Sequence, residues 1–298
     1  MVSRYSYHST NRDSYPVIID LHTHITAPEI VTQREACCQR DAWFAALYEN
    51  PQARLATAEA LIEALDEAGV DHAVAFGFAW ADMGLCRAAN DYTIEAVRRY
   101  GGRLIGFAVV NPRQPQEALR ELERCVAAGL RGVGELMPDG QGFSLDDVSL
   151  LAPLAEFAAA HHLPLLVHTS EPVGHRYPGK GTVGPEAICR FAQAFPEMTL
   201  ICAHWGGGLP FYELMPEVRE ALAHVYYDTA ASLYLYDDRI LPLLAQLVPR
   251  KICFGSDFPL LSLARYLRRF RSVGLEAELL RDVLGDNTAR LLGLMNLK

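Results

Sequence analysis

The 298-residue sequence lacks several features that would have set its class at once. No apolar run is long enough to cross a bilayer, so no membrane span is expected. There is no excess of positive charge: 27 Lys and Arg stand against 36 Asp and Glu, a formal net charge of −9. Without a basic stripe to neutralise phosphates, a nucleic-acid partner is not expected. No C-x-x-C pair occurs, and the seven cysteines are odd in number and several sit inside apolar patterns. There Cys serves as a small core residue. A reduced, cytoplasmic compartment is the simplest expectation, ahead of a disulfide framework or a thiolate–zinc module. There is no G-x-G-x-x-G or P-loop context, so Gly206-Gly207-Gly208 is not a nucleotide motif; it reads as the start of a helix placed to offer backbone N–H groups to an anion. Composition breaks, repeats and low-complexity linkers are also missing. Residues 1–16 are polar and tyrosine-rich, without a signal-peptide core, and read as a lead-in to a single domain over 17–298.

What is present is a large apolar fraction, half of all residues, in a strand–helix alternation. Apolar and β-branched runs predict strands at 17–24, 71–78, 104–110, 132–136, 163–168, 199–204, 225–228 and 251–256. Helical periodicity fills the intervals, with stop signals such as Gly69, Gly101-Gly102 and Gly129. Strands alternating with helices imply a parallel sheet, and eight such units in this length predict an α/β (β/α)8 TIM barrel. A doubly wound open sheet is the competing topology. Residues 27–50, rich in aromatic and charged side chains, form a helical insertion after the first strand. It is placed to act as a lid or as a surface excursion.

Polar residues fall at the predicted strand ends. The first strand ends in His22-Thr23-His24, and residues i and i+2 of a strand share a face. Alone, that pair is either a half-site for a metal or a polar strand end. Glu135, His168, His204 and Asp257 then end the fourth, fifth, sixth and eighth strands. Each has a bland explanation: Glu135 an ion pair with an Arg, His168 and His204 satisfied core histidines, Asp257 a helix cap. In a barrel the C-terminal strand ends converge, so all six would face one pocket. Imidazoles and carboxylates are the donor types for zinc and related divalent ions.

The segments IDLHTH, GVGELMP, LLVHTSEP, LICAHWGGG, VYYDTAAS, ICFGSDFP and GDNTARLLGL resemble the amidohydrolase superfamily, in its "amidohydrolase 2" branch of metal-dependent barrels. The resemblance runs from Ile19 to Leu294. It implies a zinc-type cofactor and hydrolase or lyase chemistry. It assigns His22, His24, His168 and Asp257 to a one-ion set, and His204 to substrate polarisation or proton transfer. Glu135 departs from the decarboxylase-like pattern and is similar to the bridging carboxylate of two-ion relatives, where His168 and His204 hold the second ion. One or two ions stay open, and a homodimer is plausible by resemblance only.

The residues that face substrate are expected in the loop beyond His168, where His175, Arg176, Tyr177 and Lys180 concentrate positive charge suited to a carboxylate or phosphate. A solvated loop is the alternative. Trp80 and Trp205 are expected as apolar pocket walls, with simple packing as the alternative. The first expectation for function is a metal-dependent hydrolase acting on a small, carboxylated ester, lactone or amide. In it a bound ion supplies hydroxide near neutral pH, Asp257 moves the proton and His204 steadies the oxyanion. The alternative is a metal-dependent non-oxidative decarboxylase of the same superfamily. A catalytically silent metal-binding barrel is the remaining class.

Overall fold

A computed structural model describes residues 17–294, so the lead-in expected at 1–16 lies outside the described residues. Eight parallel strands follow in chain order: β1 (Ile19–His24), β2 (His72–Phe76), β3 (Leu104–Gly106), β4 (Val133–Leu136), β5 (Leu165–Val167), β6 (Leu200–Cys202), β7 (Val225–Asp228) and β8 (Ile252–Cys253). Every residue of β3, β4, β5, β6 and β8 is buried, which is why these strands read as continuous apolar runs rather than as alternations. Each strand pairs with the next within two groups, β1 to β3 and β4 to β8.

Two seams close the ring. Between β3 and β4, Ala108 bridges to Val133, and the Gly134 amide donates to the Ala108 carbonyl at 2.8 Å. Between β8 and β1, Thr23 bridges to Phe258, and the Leu21 and His24 amides donate to the Phe254 and Phe258 carbonyls at 2.7 and 2.8 Å. The architecture is the expected TIM barrel, and the open doubly wound sheet is set aside.

The outer helices start and stop where side chains satisfy their free backbone ends. Thr57, Asp82, Asp147 and Ser262 cap the helices Ala58–Ala68, Met83–Arg99, Val148–Ala160 and Leu263–Arg271. Such caps each stabilise a helix by about 1 kcal/mol. None of the described helices is long and apolar enough to cross a membrane. After β6 the interval before β7 is not the one regular helix that periodicity suggests. Tight turns kinked at Trp205–Gly208 run from His204 to Leu214, followed by a short helix, Pro216–Ala221. Trp205 to Gly208 hold left-handed backbone, with φ between 59° and 94°. The three glycines therefore do not begin a helix that offers amides to an anion. Gly207 presses against the Ser170 carbonyl, where an added Cβ would lie 2.4 Å from the oxygen, so the tight curl needs glycine.

The insertion after β1 is three short helices, Pro28–Thr32, Arg34–Arg40 and Ala42–Tyr48. Asp41 fixes it. One carboxylate oxygen accepts from the Trp43 and Phe44 amides at 2.9 Å each, capping the third helix, and the other accepts from the Ala81 amide at 3.1 Å. Phe44 stacks on Trp80 with ring centroids 4.6 Å apart and meets Phe78 edge-on at 5.1 Å. Such aromatic pairs add roughly 0.5–1.5 kcal/mol each beyond area burial. The insertion is thus packed down on the loop after β2, over the C-terminal ends of the strands.

Candidate active site

The strand pairing itself brings the polar residues together. The Asp257 amide donates to the His22 carbonyl across the β8–β1 seam at 3.0 Å. The His168 amide donates to Leu136, beside Glu135, at 2.9 Å, and the Ala203 amide donates to Val167, setting His204 beside His168. His204 and Asp257 both sit on left-handed backbone, φ 54° and 62°. Non-glycine residues held this way concentrate at functional sites.

The side chains fall into two groups that share Glu135. In the first, the Nε2 atoms of His22 and His24 lie 3.2 Å apart. Glu135 Oε2 is 3.5 and 3.6 Å from these two nitrogens, and Asp257 Oδ1 is 3.6 and 3.3 Å from them. Donors held tetrahedrally at zinc-like bond lengths are spaced by about 3.3–3.6 Å, so the group fits one divalent ion. In the second, Glu135 Oε1 lies 3.0 Å from His168 Nδ1 and 3.8 Å from His204 Nε2, and the two nitrogens are 3.3 Å apart.

The imidazoles are fixed from behind. His22 Nδ1–H donates to Asp228 Oδ2 at 2.8 Å, His204 Nδ1–H to the Ala230 carbonyl at 3.1 Å, and His168 Nε2–H to the Gly179 carbonyl at 2.9 Å. Each bond leaves the opposite ring nitrogen as the inward donor, the arrangement that orients metal-binding histidines. Asp228, at the end of β7, also accepts from the His204 and Ala230 amides with its other oxygen. It was not singled out in the sequence, although it ends a predicted strand as the other site residues do.

Glu135, Asp228 and Asp257 are all buried, and among the described residues none of them pairs with a Lys or Arg. Burial disfavours the charge on His22, but the Asp228 and Glu135 carboxylates outweigh it and hold its pKa well above 6.5. Burial and Glu135 compete in the same way at His168, whose pKa is also raised. Burial would raise Glu135, yet His22 and His168 hold its carboxyl well below the usual range. Against its burial, Asp257 is drawn down to about 2 by its bond to His24 and by His22 and His204. Buried negative charge on this scale needs a compensating cation. Without metal that role falls to imidazole protons, which an incoming ion displaces.

Above this floor lies a pocket of about 540 Å³. Its walls come from the insertion (Trp43, Leu47, Tyr48), the loop after β5 (His175, Tyr177) and the segment after β7 (Tyr234, Leu235). Of the residues expected to face substrate, His175 and Tyr177 line it and four others do not. Arg176 is exposed, outside the lining. Lys180 Nζ turns back onto the Val173 and His175 carbonyls at 2.5 and 3.1 Å, so it braces its own loop. Trp80 is fully buried beneath the insertion, and Trp205 is buried with its indole N–H on Ser232 Oγ. The walls missed in the sequence are Trp43, Tyr48 and Tyr234, together with Arg54 in the connection that follows the insertion. Trp43 packs so closely on Gly140 that a Cβ there would meet its Cγ at 2.5 Å.

Fold and donor set define the chain as a metal-dependent enzyme built on a TIM barrel. It belongs to the amidohydrolase family, in its amidohydrolase 2 branch, whose model matches residues 19–294. Two curated relatives are similar in sequence. Gamma-resorcylate decarboxylase of a Polaromonas species is 30% identical over 152 residues, covering 42% of this chain and 45% of that enzyme. The 2-amino-3-carboxymuconate-6-semialdehyde decarboxylase of Dictyostelium discoideum is 25% identical over 265 residues, covering 74% of this chain and 70% of that enzyme. Thus the first match spans less than half of its relative's length. Among solved structures, 5-carboxyvanillate decarboxylase from Sphingomonas paucimobilis superposes with a TM-score of 0.78 at 19% identity, covering 94% of this chain and 99% of that one. The same enzyme class from Novosphingobium aromaticivorans, complexed with manganese and 4-hydroxy-3-methoxy-5-nitrobenzoic acid, gives 0.75 at 16% identity over 96% and 98%. At these identities the structures establish the shared fold. The curated relatives overturn the first functional expectation, since both are decarboxylases and neither is a hydrolase.

Proposed function

We propose that this protein is a metal-dependent, non-oxidative decarboxylase of a small aromatic or similarly conjugated carboxylic acid. The observation that carries the reading is a buried imidazole–carboxylate floor under an aromatic-walled pocket, in a chain whose curated relatives are decarboxylases. His22, His24, Glu135 and Asp257 would hold a divalent ion, with His168 and His204 on the far side of Glu135. Mixed nitrogen and oxygen donors suit zinc and manganese alike, and a structurally similar decarboxylase contains manganese. When bound, the ion anchors the substrate's oxygen atoms and draws negative charge toward itself.

The chain's own residues do the rest. Trp43, Tyr48, Tyr177 and Tyr234 sandwich a flat ring and exclude water. Arg54 supplies a guanidinium at the rim for a second anionic or hydroxyl group. Burial and the nearby Asp257 and Glu135 carboxylates raise the Tyr48 pKa, so its hydroxyl stays neutral and can donate a hydrogen bond. Decarboxylation replaces carboxylate by hydrogen: a proton adds to the ring carbon bearing the carboxylate, and the carbon–carbon electron pair then returns to the ring as CO₂ leaves. Asp257, ionised at rest at the pocket floor, takes a proton that reaches it from solvent by way of His204 and passes it to that carbon.

The test is a panel of hydroxylated and carboxylated benzoates presented to protein loaded separately with zinc and manganese. Release of CO₂ in step with formation of the decarboxylated ring is expected, and it is lost in Asp257→Asn. No CO₂ from any ring acid or conjugated acid, with the metal site filled, would sink the reading.

A further inference from the structure

Of the three histidines fixed from behind, two are fixed by strand ends and one by a wall. His22 rests on Asp228 at the end of β7, and His204 on the Ala230 carbonyl just beyond it. His168 instead gives its Nε2 proton to the carbonyl of Gly179, in the same loop that carries His175 and Tyr177 to the pocket. We infer that Lys180 is a positioning residue for the floor. By holding the loop after β5 as one unit, it keeps the Gly179 carbonyl behind His168 and ties the pocket wall to that imidazole. The inference takes pocket and floor from the reading above and needs no particular reaction.

The geometry of the loop gives Lys180 this role. Tyr177-Pro178-Gly179-Lys180 is a turn, closed by the Lys180 amide on the Tyr177 carbonyl at 3.1 Å. Proline second and a glycine at φ 88° third suit the type II form. From the last corner of this turn the Lys180 side chain crosses the loop. Its Nζ donates to the Val173 and His175 carbonyls and lies 5.5 Å from the centre of the Tyr177 ring. Bonds from a charged donor are about twice as strong as neutral ones. The loop's ends are tied separately: Tyr177 O–H donates to Glu171 Oε2, and the Gly181 and Thr182 amides donate to Ser170 Oγ and Asp139 Oδ2, each at 2.9 Å. These ties leave the turn free to pivot, and Lys180 removes that freedom. On its other side the turn meets the insertion, where a Cβ on Gly179 would lie 2.7 Å from Leu47 Cδ2. Tyr177 thus faces the pocket while Gly179, in the same turn, holds His168. In a neutral imidazole, the bond made by one nitrogen decides which of the two keeps the proton. With Nε2–H on Gly179, Nδ1 is the atom left facing Glu135 Oε1 at 3.0 Å. A turn that swings outward removes that bias, so a displaced wall disturbs the floor.

The experiment follows ring protons by NMR in full-length, isotope-labelled, zinc-loaded protein. The His168 Nε2 proton is assigned by its absence in His168→Asn, and its exchange with water is measured beside that of the Nδ1 protons of His22 and His204. In Lys180→Met the His168 proton should exchange roughly tenfold faster or more, the effect of one lost bond from a charged donor, while the other two keep their rates. Lys180→Arg, which can donate to the same two carbonyls, should stay near the wild-type rate. An unchanged His168 proton in Lys180→Met overturns the inference. So does equal acceleration of all three protons, which is general loosening, or an arginine variant as fast as the methionine one. Lys180→Ala is read in the same way, so that one variant's failure to fold leaves the other to decide. The readout is separate from turnover. An unchanged proton with CO₂ release intact removes the role of Lys180 and leaves the decarboxylase reading, whereas the expected change without CO₂ release does the reverse.

Discussion

The floor of the site and its walls are built on opposite principles. The floor is held by backbone pairing between adjacent strands: Asp257 by β1, His168 by β4, His204 by β5. His22 and Glu135 are almost fully buried there. The walls hang from connections, chiefly the insertion pinned by Asp41 and the loop braced by Lys180. Tyr234 is 59% exposed, and Leu260, which lines the pocket from the segment after β8, is 53% exposed. Reaction type is therefore expected to follow the floor and substrate choice the walls.

The largest effect expected of a single change is at the floor. Asp257→Asn should lower turnover about 10²–10⁴-fold, the span of a lost proton-transfer group, while substrate still binds. Retained turnover in a variant of intact metal content would place the proton elsewhere. Next is Asp228→Asn, which loosens His22 without touching substrate. Metal affinity should fall about 10–100-fold, as it does when the group behind a ligating histidine is lost. A chelator titration reads this directly, and excess metal should restore activity.

Acidification should act through the same floor. His22 and His168 hold protons above the ordinary imidazole value, and those protons must leave before metal enters. As pH falls, protons win and metal is released; as it rises through and beyond 6.5, affinity grows until both imidazoles are neutral. Metal affinity that is flat between about pH 6 and 8 contradicts this assignment.

The walls should respond differently. Tyr48→Ala or Trp43→Ala should shift KM and the ranking of ring acids by about tenfold, the scale of one lost apolar contact, with metal content unchanged. If either variant instead loses metal, floor and wall are not separable. The smallest effect belongs to Arg176→Ala. An exposed residue outside the lining should change stability by no more than about 0.5 kcal/mol and leave KM alone.

The same contrast explains what the sequence made legible. A histidine or carboxylate ending an apolar strand stands out against its neighbours, and barrel topology says where it points. His22, His24, Glu135, His168, His204 and Asp257 carry that signal, and the fold brings their side chains to one floor. Asp228 carried it too, but a strand of four residues ending in Asp gives no sign that its carboxylate turns inward to His22. The walls carry no such signal. Lys180 and Arg176 looked like substrate contacts because loop charge is visible, whereas the direction of a loop side chain depends on tertiary folding. Trp80 was placed in the pocket by its position after β2, before the packing of Phe44 above it could be known. Trp205 was misplaced because the left-handed run from Trp205 to Gly208 turns the chain away from the helix that the sequence pattern suggested.

The seam between β8 and β1 has a consequence for how the molecule comes apart. It joins the first strand of the barrel to the last, and the Ser256 amide that reaches Asp20 spans 236 residues of chain. Closing so long a loop is the slowest and most entropically costly pairing in the ring. His22, His24 and Asp257 stand on its two lips, so an ion among them is a clasp across the ring's own opening. Stripping the metal should make this seam the first place where amide hydrogens exchange, well before the β4–β7 side of the barrel yields.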